Sequence, residues 1–108
     1  MKVRFISPAN NELDEAVRYY DHQLPGLGFR FFQEVEAAIE RIYFMPEAWT
    51  KIGERTRRCI LKGFSYALLY VIDPEEILIT AVAHLHETRN ITKIESFKLA
   101  DNRMLVPG

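Results

Sequence analysis

The spacing of apolar residues divides the chain into a helical first half and a strand-forming second half. Between Pro8 and Phe44 the apolar positions recur every three or four residues, the period of an amphipathic helix. From Arg57 to His84 the period changes to two, and the apolar runs become short and rich in branched and aromatic residues. This change of period predicts an α+β fold in which helices pack against a sheet.

Proline and glycine interrupt the pattern and set the predicted boundaries. The segment 24–28 (Leu-Pro-Gly-Leu-Gly) ends a first helix, and Pro46 ends a second helix that runs from about 29 to 44. The predicted strands are residues 2–6, 57–61, 66–72 and 77–84. Short turns join the last three strands, which indicates an antiparallel meander. The order is therefore β-α-α-β-β-β, a helical hairpin packed on one face of an antiparallel sheet.

Length and composition indicate an ordinary globular protein. The chain has 108 residues, of which 48% are hydrophobic and 27% charged. No apolar run approaches the roughly 20 residues that span a bilayer, and the N-terminus carries no secretory signal. Its one cysteine, Cys59, lies in an apolar strand and is interpreted as a small core residue. We expect one domain over residues 1–108, a cytoplasmic location and no membrane attachment.

Charge is sorted along the sequence. Residues 11–47 carry eight acidic and three basic side chains, a net charge of −5, whereas residues 48–62 carry five basic and one acidic, a net of +4. The whole chain has a formal net charge of −1. Such a step lets a near-neutral protein present a cationic surface to a polyanion. The alternative is a solubilising surface that is merely uneven.

Basic and imidazole side chains cluster at the ends of the predicted strands: Arg57, Arg58, Lys62, His84, His86 and Arg89. Arginine binds phosphate oxygens bidentately and histidine transfers protons near neutral pH, so this set is compatible with metal-free RNA cleavage through the 2′-hydroxyl. Strand alternation turns Arg57 and Arg58 to opposite faces, so at most one enters any given site. The structural alternative is that one of them pairs with a helix carboxylate such as Glu36 or Glu40.

The sequence indicates neither a cofactor nor a metal. It contains no P-loop, no glycine-rich dinucleotide motif and no His/Cys set with zinc spacing. His84 and His86 would share one face of a continuing strand, but two ligands do not complete a metal site. We therefore predict no cofactor and no bound metal.

Short motifs follow one another in a characteristic order between about Val3 and His86. They are Glu12-Leu13-Asp14-Glu15-Ala16, Tyr19-Tyr20, Pro25-Gly26-Leu27-Gly28, Phe31-Phe32-Gln33-Glu34-Val35, Ile39-Glu40-Arg41-Ile42, Pro46, Arg57-Arg58-Cys59, Phe64-Ser65-Tyr66 and Ala81-Val82-Ala83-His84. Together with the element order, this set resembles the RelE/ParE toxin superfamily, and most of all its ParE-like, plasmid-stabilisation branch. The resemblance implies a growth-inhibiting toxin that is encoded beside a small antitoxin.

The resemblance also frames the question of the target. ParE-type members poison DNA gyrase, whereas other members cut mRNA on the ribosome with basic residues and usually a C-terminal tyrosine. Here no Tyr or Trp follows Tyr70, and the Pro-x-Tyr-Trp ending of related sequences is replaced in a tail that diverges from about residue 87. We expect a ParE-like toxin acting on gyrase. The alternatives are a ribosome-dependent mRNA endonuclease, for which the six basic and imidazole residues would be catalytic, and a decayed member that only binds its antitoxin.

Two adjacent aromatic pairs, Tyr19-Tyr20 and Phe31-Phe32, are candidates for the antitoxin-binding surface. One member of each pair must turn away from the core centre, and antitoxin tails in the resembled family wrap their toxins. The alternative is that these side chains are simply core. The resemblance leaves open a homodimer or a toxin–antitoxin hetero-oligomer.

Overall fold

Two helices pack against a five-stranded sheet in the computed structural model, which describes residues 1–86. The elements are β1 (Lys2–Phe5), α1 (Ala9–Gln23), α2 (Leu27–Phe44), β2 (Thr50–Lys51), β3 (Thr56–Ile60), β4 (Tyr66–Ile72) and β5 (Glu76–His84). The predicted α+β fold, a helical hairpin on a sheet, is confirmed. Arg89 and the divergent tail lie outside the described residues.

The sheet is mixed, with the strand order β1-β5-β4-β3-β2. The pairs β2–β3, β3–β4 and β4–β5 are all antiparallel, so the meander is as predicted. β1 adds one parallel pair, with Val3 opposite Ile77 and Phe5 opposite Ile79. The helical hairpin provides part of the long connection that a parallel pair requires. The apolar pattern does not reveal β2, because both of its residues, Thr50 and Lys51, are exposed.

The two helices approach each other at a glycine. Gly26 precedes α2 with φ of 92°, a left-handed conformation that favours glycine. Gly28, which the sequence pattern assigned to the break between the helices, instead lies within α2. A Cβ built on Gly28 would lie 2.5 Å from the carbonyl oxygen of Val17 in α1. The missing side chain therefore allows the close approach of the helices.

The main core lies between the hairpin and one face of the sheet, called here the helix-side face. α2 contributes a stripe of buried residues at helical spacing, namely Phe31, Val35, Ala38 and Ile42. The buried strand residues in the same core include Leu68, Tyr70, Ile77, Ile79 and Val82. Burial of each large apolar side chain contributes roughly 1.5–3 kcal/mol. This layer of contacts holds the hairpin on the sheet.

Cys59 belongs to this core, as its apolar surroundings in the sequence predict. Its side chain is buried, and burial raises the pKa of the thiol, although the nearby Arg41 guanidinium opposes that effect. A buried thiol with a raised pKa is chemically inert under ordinary conditions.

A second, smaller cluster lies on the opposite face of the sheet, called here the far face. It consists of Ala67, Leu69, Ala81 and Ala83, with Ile52 and Leu85 packed against it. Side chains alternate between the two faces along β4, so Leu69 belongs to the far face while Leu68 and Tyr70 belong to the helix-side face. The same alternation determines where each polar side chain of β3 and β5 points.

Replacing Gly28 with alanine should destabilise the fold by about 1–3 kcal/mol, because the new methyl group would meet the Val17 carbonyl. Helix propensity alone would make the alanine variant more stable by about 1 kcal/mol. Whether stability falls or rises therefore decides between the clash and helix propensity. Chemical denaturation measures it, with the exposed helix substitution Gln33→Ala as a control that should shift stability by less than about 0.5 kcal/mol. A Gly28→Ala protein more stable than its parent would contradict the close helix approach.

Candidate functional site

The two adjacent arginines of β3 point to opposite faces of the sheet. Arg57 is opposite Tyr70 in the β3–β4 ladder and therefore belongs to the helix-side face. Arg58 is opposite Leu69 and therefore belongs to the far face, where its Nε is buried without a hydrogen-bond partner. The alternation of the strand thus separates the two guanidinium groups, as the sequence predicts.

Arg57 has a structural role at the edge of the sheet. Its Nη1 donates hydrogen bonds to the carbonyl oxygens of Glu47 at 3.1 Å and Trp49 at 2.8 Å. These bonds tie the segment between α2 and β2 to β3. No ion pair to Glu36 or Glu40, the alternative raised from the sequence, is formed within residues 1–86.

Lys62 lies in the exposed turn between β3 and β4. Its backbone N–H donates to Glu34 Oε2 at 2.6 Å, and the same oxygen accepts from Arg41 Nη2 at 2.7 Å. Partial burial would raise the pKa of Glu34, but the Arg41 guanidinium and the Lys62 N–H hold it below its ordinary value. Glu34 therefore stays ionised and links α2 to the turn, while the Lys62 ammonium is left on the surface.

His84 ends β5 on the helix-side face, opposite Tyr66 in the ladder. Its ring stands edge-on to Tyr66 with centroids 5.1 Å apart, and it stacks on His86 with centroids 4.8 Å apart. The backbone N–H of His86 donates to His84 Nδ1 at 3.2 Å. Neutral His84 consequently carries its proton on Nε2.

The cleft beside His84 is acidic. It has a volume of about 350 Å³ and is lined by Glu12, Glu15, Ala16, Tyr19, Tyr66, Val82 and His84. Glu12 Oε1 accepts a hydrogen bond from the backbone N–H of Val82 at 3.0 Å. The pairing of β1 with β5 ends at Phe5, opposite Ile79, so within residues 1–86 no strand pairs with the rest of that β5 edge, and Glu12 accepts the hydrogen bond there instead. Two carboxylates beside the imidazole would repel a phosphodiester.

Three of the basic and imidazole candidates, Arg57, Arg58 and His84, do not lie together. Arg58 lies on the far face, whereas His84 lies on the helix-side face. Arg57 shares the face of His84, but the ladder places it four residues along β4 and on the other side of that strand. Standard strand geometry makes this separation about 13 Å along the strands and about 10 Å across them. Arg89, the remaining candidate, lies outside the described residues.

Within residues 1–86, no three His, Cys, Asp or Glu side chains are grouped so that they could hold a metal ion. No helix in that part of the chain is long and apolar enough to cross a membrane.

The aromatic pairs divide between core and surface. Tyr20 and Phe31 stack at 5.1 Å and also contact Phe64 and Tyr66, forming an aromatic cluster beneath the hairpin. Phe31 is fully buried, so the expectation that it meets a partner is not supported; its ring is needed in the core. Burial also raises the pKa of Tyr20, which is only partly exposed.

The other members of the two pairs face outward. Tyr19 is 55% exposed and Phe32 is 39% exposed. One aromatic ring of each pair is therefore available on the surface of the hairpin, as the adjacency of the residues predicts.

An apolar groove lies at the C-terminal end of α2, and none of the site residues predicted from the sequence lines it. It has a volume of about 510 Å³ and is lined by Ala37, Glu40, Arg41, Phe44, Met45, Ala48 and Trp49. The run Tyr43-Phe44-Met45 was the available signal, because three consecutive apolar residues at a helix end cannot all face the core. Phe44 is 82% exposed.

Hydrogen bonds from the core hold the wall of this groove. Tyr70 Oη donates to the carbonyl oxygen of Pro46 at 2.6 Å, and Trp49 Nε1 donates to the carbonyl oxygen of Arg41 at 3.4 Å. Burial raises the pKa of Tyr70 to about 12. The phenol is therefore a neutral donor throughout the physiological range.

Comparison with known proteins finds similarity in structure but none in sequence. No protein-family profile matches the sequence, and no curated protein sequence matches it. A chain of the solved structure "Chromosomal ParDE TA system from P. aeruginosa" aligns with a TM-score of 0.63 at 14% identity, covering 78% of this chain and 95% of that one. The protein has the RelE/ParE-like fold. At this identity the match shows a shared backbone arrangement.

Tyr70→Phe tests the support of the groove. It should lower the free energy of unfolding by about 1–2 kcal/mol at neutral pH, because the Pro46 carbonyl loses its donor. An unfolded tyrosine titrates near pH 10, so the raised pKa of Tyr70 stabilises the fold fully below pH 10, and this stabilisation is lost as the pH rises towards 12.

An ultraviolet titration of phenolate formation should therefore lose its last step in Tyr70→Phe. The exposed substitution Tyr43→Phe is the matched control and should leave both the stability and that last step unchanged. A last step that survives in Tyr70→Phe would show that another group titrates there.

Proposed function

We propose that the protein is the toxin of a type II toxin–antitoxin system. Its partner is a small antitoxin encoded beside it, and its target is DNA gyrase, as in the ParE-like branch. The observation that carries the first part is the backbone match to a ParDE toxin–antitoxin structure over 78% of this chain and 95% of that one. The exposed rings of Tyr19 and Phe32 supply surface for the antitoxin.

The choice of gyrase over mRNA cleavage is supported by the distribution of the candidate residues. Metal-free RNA cleavage needs a proton acceptor, a proton donor and cationic support around one phosphate. In this chain Arg58 and His84 lie on opposite faces, and the cleft that His84 lines also contains the carboxylates Glu12 and Glu15. A gyrase poison needs a binding surface rather than a converged proton-transfer site. The placement of Arg58 and His84 on opposite faces of the sheet is compatible with that requirement.

Neutralisation by an antitoxin is tested with the product of the adjacent reading frame. A ligand that binds only the native state raises stability by about 4 kcal/mol at roughly 1,000-fold excess over its Kd. The purified protein should therefore melt at a markedly higher temperature when saturated with that product. An unchanged melting temperature at saturation would argue against a cognate antitoxin.

The mechanism is tested by expressing the protein without its partner. Growth should stop with accumulation of DNA breaks while mRNA remains intact, and His84→Ala should arrest growth as the parent does. Co-expression of the adjacent frame is the control and should restore growth. Codon-phased mRNA cuts that disappear in His84→Ala would instead identify a ribosome-dependent nuclease, and no arrest despite tight antitoxin binding would identify a decayed toxin.

A further inference from the structure

The groove at the end of α2 continues past Phe44 onto the neighbouring surface of the hairpin. A second depression of about 400 Å³ is lined by Val3, Ile39, Glu40, Tyr43 and Phe44. It shares Glu40 and Phe44 with the first depression, so the two form one surface, called here the α2 groove. Tyr43, Phe44 and Met45 are each more than half exposed along it. A contiguous apolar surface with a polar rim is the usual form of a docking site.

The α2 groove is built before any partner arrives. The bonds from Tyr70 to Pro46, from Trp49 to Arg41 and from Arg57 to the 47–49 backbone fix its wall. A pre-formed wall reduces the ordering cost that a docking surface otherwise imposes on binding.

The charge that α2 itself places beside the α2 groove is negative, while the Arg57 guanidinium donates to the backbone of the 47–49 wall. Glu36 and Glu40 lie one turn apart on the exposed side of α2, and neither makes a hydrogen bond or ion pair with any residue in the range 1–86. Arg41, the cation that lines the groove, is already paired with Glu34 at 2.7 Å. The surrounding segment 11–47 has a net charge of −5. Such a surface selects a basic partner.

The same charge argues against a second copy of this chain as the occupant. A two-fold interface apposes the same patch from both copies. It would therefore bring Glu36 and Glu40 of one copy towards Glu36 and Glu40 of the other.

We propose that the α2 groove receives an amphipathic, basic helix of the antitoxin. The apolar side of that helix packs on Phe44, Met45 and Trp49, and lysines or arginines spaced one turn apart face Glu36 and Glu40. An i, i+4 pair of cations matches the i, i+4 pair of carboxylates on α2. The identity of the occupant rests on the proposed function; the position and chemistry of the site rest on the groove itself.

Trp49 provides a direct reporter of occupancy, because it is the only tryptophan of the chain and it lines the groove. With fluorotryptophan incorporated into this protein alone, its fluorine NMR signal should shift when the adjacent-frame product is added. Phe44→Ala should weaken binding of that product by about tenfold or more, as truncation of a central aromatic anchor does. Phe29→Ala is the matched control, since Phe29 is 64% exposed at the other end of α2, and it should change affinity by less than about threefold.

The electrostatic part is tested with Glu36 and Glu40. Glu36→Gln/Glu40→Gln should weaken binding and flatten its dependence on salt, and Glu36→Lys/Glu40→Lys should weaken it further. The melting temperatures of the free variants show whether each is folded.

These experiments distinguish failure of the proposed docking site from failure of the proposed toxin–antitoxin function. Tight binding with an unshifted Trp49 signal and unchanged affinity in Phe44→Ala would overturn the groove and leave the toxin–antitoxin pairing intact. Absence of binding by the parent protein would overturn both. A homodimer that dissociates in Phe44→Ala, or a free monomer that loses stability in that variant, would assign the groove to a second copy or to this chain's own remaining segment, and would overturn the antitoxin as its occupant.

Discussion

The packing of β4 against the helical hairpin is the constraint on which the rest of the structure depends. Tyr66, Leu68 and Tyr70 point to the hairpin, and Ala67 and Leu69 point to the far face. Paired residues on neighbouring strands share a face, so this alternation also assigns the side chains of β3 and β5 to one face or the other, except at Thr80, where the β4–β5 register shifts. A shift of register by one residue would expose the aromatic cluster and bury charge.

This constraint decides what the polar residues can do together. It sends Arg58 and His84 to different faces and leaves Arg57 near the end of α2, where it binds the 47–49 backbone. On the β5 edge beyond Ile79, the carboxylate of Glu12 in α1 accepts the hydrogen bond of the Val82 backbone N–H. Arg57, Arg58 and His84 therefore lie at three separate places in the fold.

The charge step in the sequence acquires a spatial meaning in the fold. Its acidic part forms the hairpin, and its basic part forms β2, β3 and the turn after them. The acidic hairpin can therefore bind a basic partner, and the basic strands can bind an acidic one. This separation suits a protein that must engage both an antitoxin and a target on DNA, as proposed above.

Much of the fold follows from the sequence, because periods of two and of about 3.6 are local properties of a chain. Elements 66–72 and 77–84 were predicted within one residue of their observed bounds. Gly28 was misassigned, because its role depends on contact with Val17 in another helix. β2 was missed, because a two-residue edge strand carries no apolar pattern.

The candidate site was less predictable than the fold. Adjacency indicated that one ring of each aromatic pair would face outward, but only the packing of the hairpin shows that Phe31 is the buried member and Phe32 the exposed one. The α2 groove depends on how the segment from Met45 to Trp49 folds back under the bonds from Tyr70 and Arg57, which no local pattern encodes. Sites formed by long-range contacts are the part that a single sequence leaves open.

We propose that this protein acts through a binding surface and not through a converged proton-transfer site. An assay with purified gyrase and supercoiled DNA tests this proposal by measuring enzyme-trapped double-strand breaks as the protein is added. Breaks should accumulate equally with the parent protein and with His84→Ala, and the adjacent-frame product should prevent them. No trapped breaks, together with His84-dependent cleavage of mRNA in a purified translation system, would contradict it.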